Sequence, residues 1–333
     1  VGYGARHAMD QIIALAETLG CPVATTFKAK GQIPDTHPLA AGVLGRSGTP
    51  VASWFMNECD LIVALGSSFS NHTGIEPKKP IIQVDFEPMQ LGKFHPVALP
   101  VLGEVERTVG ILRYELQSKD IAAKNLRGEI SERWAIWREE KERRLAETSA
   151  RGLSASVIFE ALTRLAPADA VIAVDVGNNA YSFGRYFEPC GQSVLLSGYL
   201  GSIGFAFPAA MGAWAATQDI PAHKGRKVLA VAGDGGFAQY AMEFTTAVRH
   251  GMDITLILLN NSELAKISKE QRADQLPVYQ TSLVNPAFAG FARSCGGWGD
   301  RVTKPDALDK AITDALAHEG PALVEIIQDA ELV

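Results

Sequence analysis

A single carboxylate, Asp234, stands in a run of glycines, Gly233-Asp234-Gly235-Gly236, and 24 residues separate Gly235 from the paired amides Asn260-Asn261. A carboxylate and an amide are both hard oxygen donors. They suit a small divalent cation that takes six oxygens at about 2.1 Å. One of each leaves room for a backbone carbonyl, a water and two phosphate oxygens. The glycines let an anion approach the backbone closely, and a helix opening at this turn would aim free N–H groups at it. The chemistry suggested is a metal-bridged diphosphate.

For that chemistry the donors must meet. Residues 228–232 and 254–259 are short apolar runs that read as buried strands, with a helical pattern between them. They make one right-handed βαβ unit. Asp234 lies just past the carboxyl end of the first strand, and Asn260-Asn261 just past that of the second. Neighbouring strands run about 4.8 Å apart, so the donors converge if these two are neighbours. Asp-Gly and Asn-Asn taken singly are ordinary turn chemistry; only their joint position argues for a site. The nearest rival, a dinucleotide fingerprint, wants G-x-G-x-x-G/A and an acid about 20 residues on. Here the acid lies between the glycines and the next strand ends in amides, so that reading loses.

The rest of the chain supplies a frame of the same kind. Strand candidates at 22–26, 61–65, 81–86 and 99–102 alternate with helical patterns at 9–19 and 104–116. A second series has strands at 170–175, 194–197, 228–232, 254–259 and 323–327, and helices at 154–165, 204–214, 240–250 and 305–318. Between the series, residues 117–153 are rich in mixed charge, with Leu126, Ile130, Trp134 and Trp137 at helical spacing. Short apolar strands alternating with helices predict an α/β protein of two doubly wound parallel-sheet domains. Residues 1–116 form the first, 117–153 a charged helical linker, and 154–333 the second.

The 333 residues are 47% hydrophobic and 20% charged, with net charge -6, so each half can bury a core and no basic face points to nucleic acid. No apolar run approaches the roughly 18 residues of a membrane span. Cys21, Cys59, Cys190 and Cys295 form no CxxC pair and the histidines are scattered. Free thiols predict a reducing, cytoplasmic setting. The opening Val1-Gly2-Tyr3-Gly4-Ala5-Arg6 reads as the turn after a strand, with a preceding segment expected.

Gly233-Asp234-Gly235 followed by Asn260-Asn261 resembles the cofactor motif of thiamine-diphosphate (ThDP) dependent enzymes, of the acetolactate synthase, pyruvate oxidase and 2-oxo acid decarboxylase type. The likeness covers essentially the whole chain. Residues 1–116 look like that family's Rossmann-like central domain and 154–333 like its diphosphate-binding domain. The resemblance implies Mg²⁺ held by Asp234, Asn261 and the backbone carbonyl of Glu263. It implies cofactor contacts from Asn178 and Asn179, which follow Val176-Gly177, and from Gly233, Gly235, Gly236, Leu264 and Ala265. Gly198-Tyr-Leu-Gly201-Ser202-Ile203-Gly204 resembles the segment beneath the cofactor, with Ile203 as an apolar wedge beside Ser202. Ala265 stands where the family often has glycine. In the resembling oxidases and synthases FAD sits on the central domain; the candidate loops here are 2–6, 25–31, 66–74 and 84–87. The loop carrying Ser68, Asn71 and His72 lacks the arginines of the synthases, whereas Gly2–Arg6 and Lys28-Ala-Lys30-Gly31 look closer to pyruvate oxidases; bound FAD and an empty, structural central domain both stay open.

The activity implied is ThDP- and Mg²⁺-dependent decarboxylation of a pyruvate-like 2-oxo acid, with the enamine passed to a second 2-oxo acid or to a flavin. No acid in this chain matches the motif of the catalytic base, which the family places on an N-terminal pyrimidine-binding domain. Glu243 fits an exposed helix position instead. The expected partner is therefore such a domain, from the same or another chain, in a homodimer or homotetramer. The alternative is an isolated fragment or a non-catalytic nucleotide-binding module of the same fold. Residues 280–286 are expected to form a mobile loop near the site.

Overall fold

In the computed structural model, residues 1–332 are described except 68, 69, 71, 120–123 and 148. The chain divides into two units, residues 1–140 with 188–190, and residues 141–187 with 191–333.

In the first unit the strands are β1 (Val23–Thr25), β2 (Ala40–Val43), β3 (Ile62–Leu65), β4 (Ile81–Asp85) and β5 (Leu99–Leu102). All pairings are parallel, β2 on β1 and then β3-β4-β5. The opening residues join the two sets. Thr26 N–H donates to the Val1 carbonyl at 2.8 Å and Gly2 N–H to the Leu65 carbonyl at 2.8 Å, so Val1 and Gly2 lie between β1 and β3. Helix α1 (Met9–Leu19) buries Met9, Ile12, Leu15 and Ala16, and Gly20 ends it in the left-handed conformation. Helix α2 (Pro50–Glu58) starts at proline with Thr49 as its cap, and α3 (Val105–Ser118) starts at Glu104, whose carboxylate accepts from Glu106 and Arg107 N–H.

That cap gives a pH-dependent prediction. The two backbone donors hold the Glu104 carboxyl below its ordinary range. A depressed folded-state value means stability present above the unfolded-state pKa and lost as pH falls through the folded one. The group is exposed, so the effect is screened to about 0.5 kcal/mol or less. Wild type and Glu104→Ala should differ slightly in melting temperature at neutral pH and converge in acid; a gap that widens in acid would contradict the assignment.

The charged stretch forms α4 (Arg127–Leu145), which buries Ile130, Trp134 and Trp137; Trp134 Nε1 donates to the Ala40 carbonyl at 2.7 Å. Sequence periodicity missed β2 and α2. β2 is Ala-Ala-Gly-Val, four buried residues of low strand propensity, although Thr49-Pro50 carried a legible start signal for α2.

The second unit holds one six-stranded parallel sheet in the order β10-β11-β9-β8-β6-β7. Its strands are β6 (Val171–Val174), β7 (Ser193–Leu196), β8 (Val228–Gly233), β9 (Ile254–Asn260), β10 (Trp298–Val302) and β11 (Ala322–Ile327). Helices α5 (Ala155–Leu165), α6 (Asn178–Tyr186), α7 (Ala206–Asp219), α8 (Asp234–Ala238), α9 (Glu243–Arg249), α10 (Ala265–Ala273), α11 (Phe288–Ser294) and α12 (Leu308–Ala317) complete it. The central strands β8 and β9 are buried almost throughout, which is why they read as unbroken apolar runs. Expected boundaries shift in places. The helix anticipated from Tyr240 begins at Glu243, because the short α8 and a turn occupy the residues after Asp234. The edge strand β10 escaped detection because Gly299, Asp300 and Arg301 interrupt its apolar pattern.

The order of this sheet reverses at β6. From there the chain passes outward to β7 on one side, and on the other to β8 and β9. The crevice outside the carboxyl ends of β6 and β8 is the topological switch point, where open α/β sheets bind ligands. Residues 175–179 and 233–236 lie at that crevice. Phe237 fixes α8 beneath it, its ring edge-on to Phe207 at 5.5 Å and to Phe288 at 5.7 Å between centroids.

Candidate cofactor site

β8 and β9 are neighbours in register, Gly233 opposite Leu259, so Asp234 and Asn260-Asn261 leave adjacent strand ends. Asp234 is the first residue of α8 and its side chain is almost wholly buried. Its Oδ1 accepts Gly235 N–H at 2.9 Å; its Oδ2 accepts Ser262 N–H and Asn285 Nδ2, both at 2.7 Å. Burial pushes this carboxyl up, against the pull of Asn285, Gly235 and Ser262. A carboxylate held in such a place gains from a bound cation.

The two asparagines part company. Asn260 turns inward, its Oδ1 accepting Asn285 Nδ2 at 2.9 Å and its Nδ2 donating to Glu325 Oε1 at 2.8 Å. Asn261 is partly exposed, and its Oδ1 accepts Glu263 N–H at 3.1 Å, which leaves a lone pair for another partner. Glu263 bridges Ser282 through its backbone while its side chain pairs with Arg272 at 3.7 Å. Leu264 N–H donates to the Thr281 carbonyl at 2.7 Å, and Ala265 is buried at the first position of α10. Among the described residues no group of three or more His, Cys, Asp and Glu could hold a metal. The groups at these strand ends, a carboxylate, side-chain amides and backbone carbonyls, are hard oxygen donors of the kind that Mg²⁺ takes, rather than soft-metal ligands.

Across the crevice, Gly177 precedes α6 with no side-chain cap, so neither Asn178 nor Asn179 is spent on that role. Asn179 Nδ2 donates to the Asp175 carbonyl at 3.1 Å, and its Oδ1 lies 3.7 Å from where a Cβ on Gly233 would stand. Asn178 Nδ2 is buried with no hydrogen-bond partner among the described residues, a donor of the kind a phosphate oxygen satisfies. A Cβ on Gly235 would come within 2.7 Å of Leu264 Cδ2, and one on Gly236 within 2.7 Å of Asp175 Oδ2. Leu264 has a flexible tip, whereas Asp175 is locked. Gly236→Ala is therefore expected to cost about 1–3 kcal/mol by overpacking, read as a lower denaturant midpoint at unchanged slope, with Gly235→Ala the milder of the two. Equal effects would contradict this geometry.

Sequence reasoning missed three residues. Asp175, 1% exposed, accepts Val176 N–H at 2.7 Å, Gly204 N–H at 2.8 Å and Ala206 N–H at 3.4 Å, tying the end of β6 to the 202–206 turn and the start of α7. Burial pushes its carboxyl up while these donors pull it down. That turn carries Ser202, whose N–H donates to Ser197 Oγ at 3.0 Å, and the half-exposed Ile203. Asn285 and Glu325 are the other two. A strand-end aspartate two residues ahead of Gly177 was a usable signal for Asp175; nothing in spacing marks the others. The segment expected as a mobile loop makes hydrogen bonds to the site, through the Thr281 carbonyl, Leu283 N–H to the Ser262 carbonyl at 2.8 Å, and Asn285. Tyr199, Leu200, Tyr240 and Met242 expose large apolar surfaces on the loops flanking Ile203 and α8.

In the first unit the candidate loops gather at the carboxyl ends of β1, β3 and β4. Gly4 N–H donates to the Gly66 carbonyl and Gly66 N–H to the Val84 carbonyl. The backbones touch: a Cβ on Gly2 would fall 2.1 Å from the Gly66 carbonyl oxygen, and Gly66 itself has φ 55°. Ser67 Oγ is buried there without a partner among the described residues. Lys28 and Arg6 lie over the Tyr3 ring, whereas Lys30 turns inward to Asp35 at 3.4 Å. Ser68 and Asn71 lie outside the described residues, and His72 contributes its carbonyl to Arg46 N–H.

Two family models match the chain. Residues 1–112 match the central domain of thiamine pyrophosphate enzymes, and 175–326 match their C-terminal TPP binding domain. Thiamine pyrophosphate is the same compound as ThDP. The Bacillus subtilis (strain 168) protein YdaP, named as thiamine pyrophosphate-containing, is 35% identical over 333 residues, covering 98% of this chain and 55% of the relative. The acetolactate synthase large subunit IlvB1 of Mycobacterium tuberculosis (strain CDC 1551 / Oshkosh) is 32% identical over 343 residues, covering 98% and 54%. The acetolactate synthase large subunit of Haemophilus influenzae (strain ATCC 51907 / DSM 11121 / KW20 / Rd) is 30% identical over 335 residues, covering 95% and 56%. The chain spans about half the length of the curated relatives it matches. No described helix is long and apolar enough to cross a membrane.

Proposed function

The chain belongs to the thiamine pyrophosphate enzyme family, and we propose that it contributes the diphosphate-binding half of a Mg²⁺- and ThDP-dependent enzyme that decarboxylates a pyruvate-like 2-oxo acid. The observation that supports this reading is that Asp234 and Asn261 follow the carboxyl ends of the paired strands β8 and β9, while Asn178, just past β6, keeps a buried amide without a partner among the described residues.

In this reading the side chains of Asp234 and Asn261 and the carbonyl of Glu263 hold Mg²⁺. Asn178, Asn179, Gly233, Gly235, Gly236, Leu264 and Ala265 line the place of the diphosphate. Ser202 and the half-exposed Ile203 would line the side of the cofactor, Ile203 supplying apolar bulk there. When bound, ThDP supplies an electron sink for the carbanion left as CO₂ departs. The chain's own contribution is to bind, orient and keep water from the reacting end. Residues 1–116 act as the central domain, 117–153 as the linker and 154–333 as the diphosphate-binding domain.

The catalytic base is assigned to a pyrimidine-binding domain, from the same or another chain, within a homodimer or homotetramer. The exposed apolar side chains of Tyr199, Leu200, Tyr240 and Met242 support a covering partner at this end of the unit. FAD is proposed at the loops of the first unit, where Ser67 Oγ lacks a partner and the backbones close tightly around Gly66. Acetolactate synthase names among the relatives favour transfer of the two-carbon fragment to a second 2-oxo acid; a redox-active flavin would favour its oxidation instead.

The test is a pyruvate assay of the native assembly with ThDP and Mg²⁺, following CO₂ release, product identity and flavin absorbance. Release of CO₂ that stops on chelation supports the reading, and acetolactate or acetate decides the fate of the fragment. Metal-independent turnover, or none with any short 2-oxo acid, would sink it.

A further inference from the structure

Asp234 offers two oxygens, and the structure uses them differently. Oδ2 accepts two hydrogen bonds, from Ser262 N–H and Asn285 Nδ2, while Oδ1 accepts one, from Gly235 N–H, among the described residues. A carboxylate oxygen has two lone pairs in its plane. Oδ2 is saturated and Oδ1 is not.

We propose that Asn285 is a positioning residue of the metal site, saturating Asp234 Oδ2 so that Oδ1 is the oxygen presented to the cation. This rests on the reading of Asp234 as a Mg²⁺ ligand and deepens it.

The choice of asparagine has a physical reason. A single amide nitrogen carries two hydrogens, and here they serve two acceptors, Asp234 Oδ2 at 2.7 Å and Asn260 Oδ1 at 2.9 Å. A lysine or arginine could bridge the same pair, but its charge would neutralise the carboxylate and compete with the cation. An amide fixes the carboxylate while leaving its charge intact.

Asn285 is itself held on both sides. Asn260 cannot turn its oxygen away, because its Nδ2 is committed to Glu325 Oε1 at 2.8 Å. Glu325 is fully buried and its other oxygen accepts Ala289 N–H at 3.0 Å, near the start of α11. The strand-like run before Asn285 is pinned by Leu283 N–H to the Ser262 carbonyl, and Phe288 is buried beyond it. Glu325, Asn260 and Asn285 thus form a relay from the sheet to Asp234. Partners that orient a metal ligand typically govern metal affinity by 10–100-fold.

The experiment uses the native assembly, saturating ThDP, and Mn²⁺ as a spectroscopic probe for the site. Wild type, Asn285→Ala, Asn285→Ser and the control Val284→Ala are compared for Mn²⁺ affinity and for the electron paramagnetic resonance spectrum of the bound ion. Val284 is fully exposed on the same segment. Asn285→Ala is expected to bind Mn²⁺ about 10–100-fold more weakly, with a changed spectrum. Asn285→Ser, keeping one donor, should fall between, and Val284→Ala should match wild type. A purely structural role would lower the melting temperature but leave the spectrum of the bound ion unchanged. Wild-type affinity and spectrum in Asn285→Ala, or an equal loss in Val284→Ala, would overturn the proposal while leaving the ThDP reading standing. A wild-type protein that binds neither Mn²⁺ nor ThDP would remove both.

Discussion

Replacing Asp234 with alanine is expected to weaken Mg²⁺-dependent ThDP binding by at least about 100-fold, more than the loss of a residue that merely orients a metal ligand, while the protein still folds. The side chain is the one carboxylate among the proposed ligands, and its charge is what a divalent cation between it and a diphosphate requires. Folding should survive because the substitution also removes a buried charge that burial disfavours. The donors it strands, Gly235 N–H, Ser262 N–H and the Asn285 amide, lie at a partly exposed crevice where water can replace the carboxylate. The pattern to look for is a calorimetric titration that goes flat in a variant whose far-ultraviolet dichroism is that of wild type. Near-normal affinity would return Asp234 to ordinary turn chemistry.

Asp175→Ala should have the opposite signature, a loss of stability with metal affinity following only indirectly. Its carboxylate takes N–H groups from Val176, Gly204 and Ala206, and Gly204 and Ala206 belong to a different turn and helix. Each stranded buried N–H costs about 1–3 kcal/mol, so the variant should lose roughly 3 kcal/mol and its denaturant midpoint should fall clearly. Asp175→Asn keeps one accepting oxygen and should lose less. If both variants keep the wild-type midpoint, the tie between β6 and the turn carrying Ile203 is not what the geometry indicates.

How much of this was legible in the sequence depended on whether local pattern and long-range packing agreed. β8 and β9 are buried on both faces, so their apolar runs and the residues closing them could be read directly, and with them the parallel α/β fold. β2 and β10 could not, because a buried Ala-Ala-Gly-Val and an edge Trp-Gly-Asp-Arg-Val owe their strand conformation to neighbours distant in sequence. The site shows the same division. Asp234 and Asn261 announce themselves by standing at the ends of consecutive strands. Asn285 and Glu325 reach the site from 51 residues away along the chain and through a 65-residue separation from Asn260, respectively, and no spacing rule connects them.

The central claim is that Asp234 and Asn261 bind ThDP through a divalent metal. Its most direct test is a calorimetric titration of the unmodified native assembly with ThDP, run in parallel with Mg²⁺ and with a chelator. A saturable heat with one ThDP per chain is expected in Mg²⁺ and none in the chelator. Equal binding in both, or no binding in either, would contradict it.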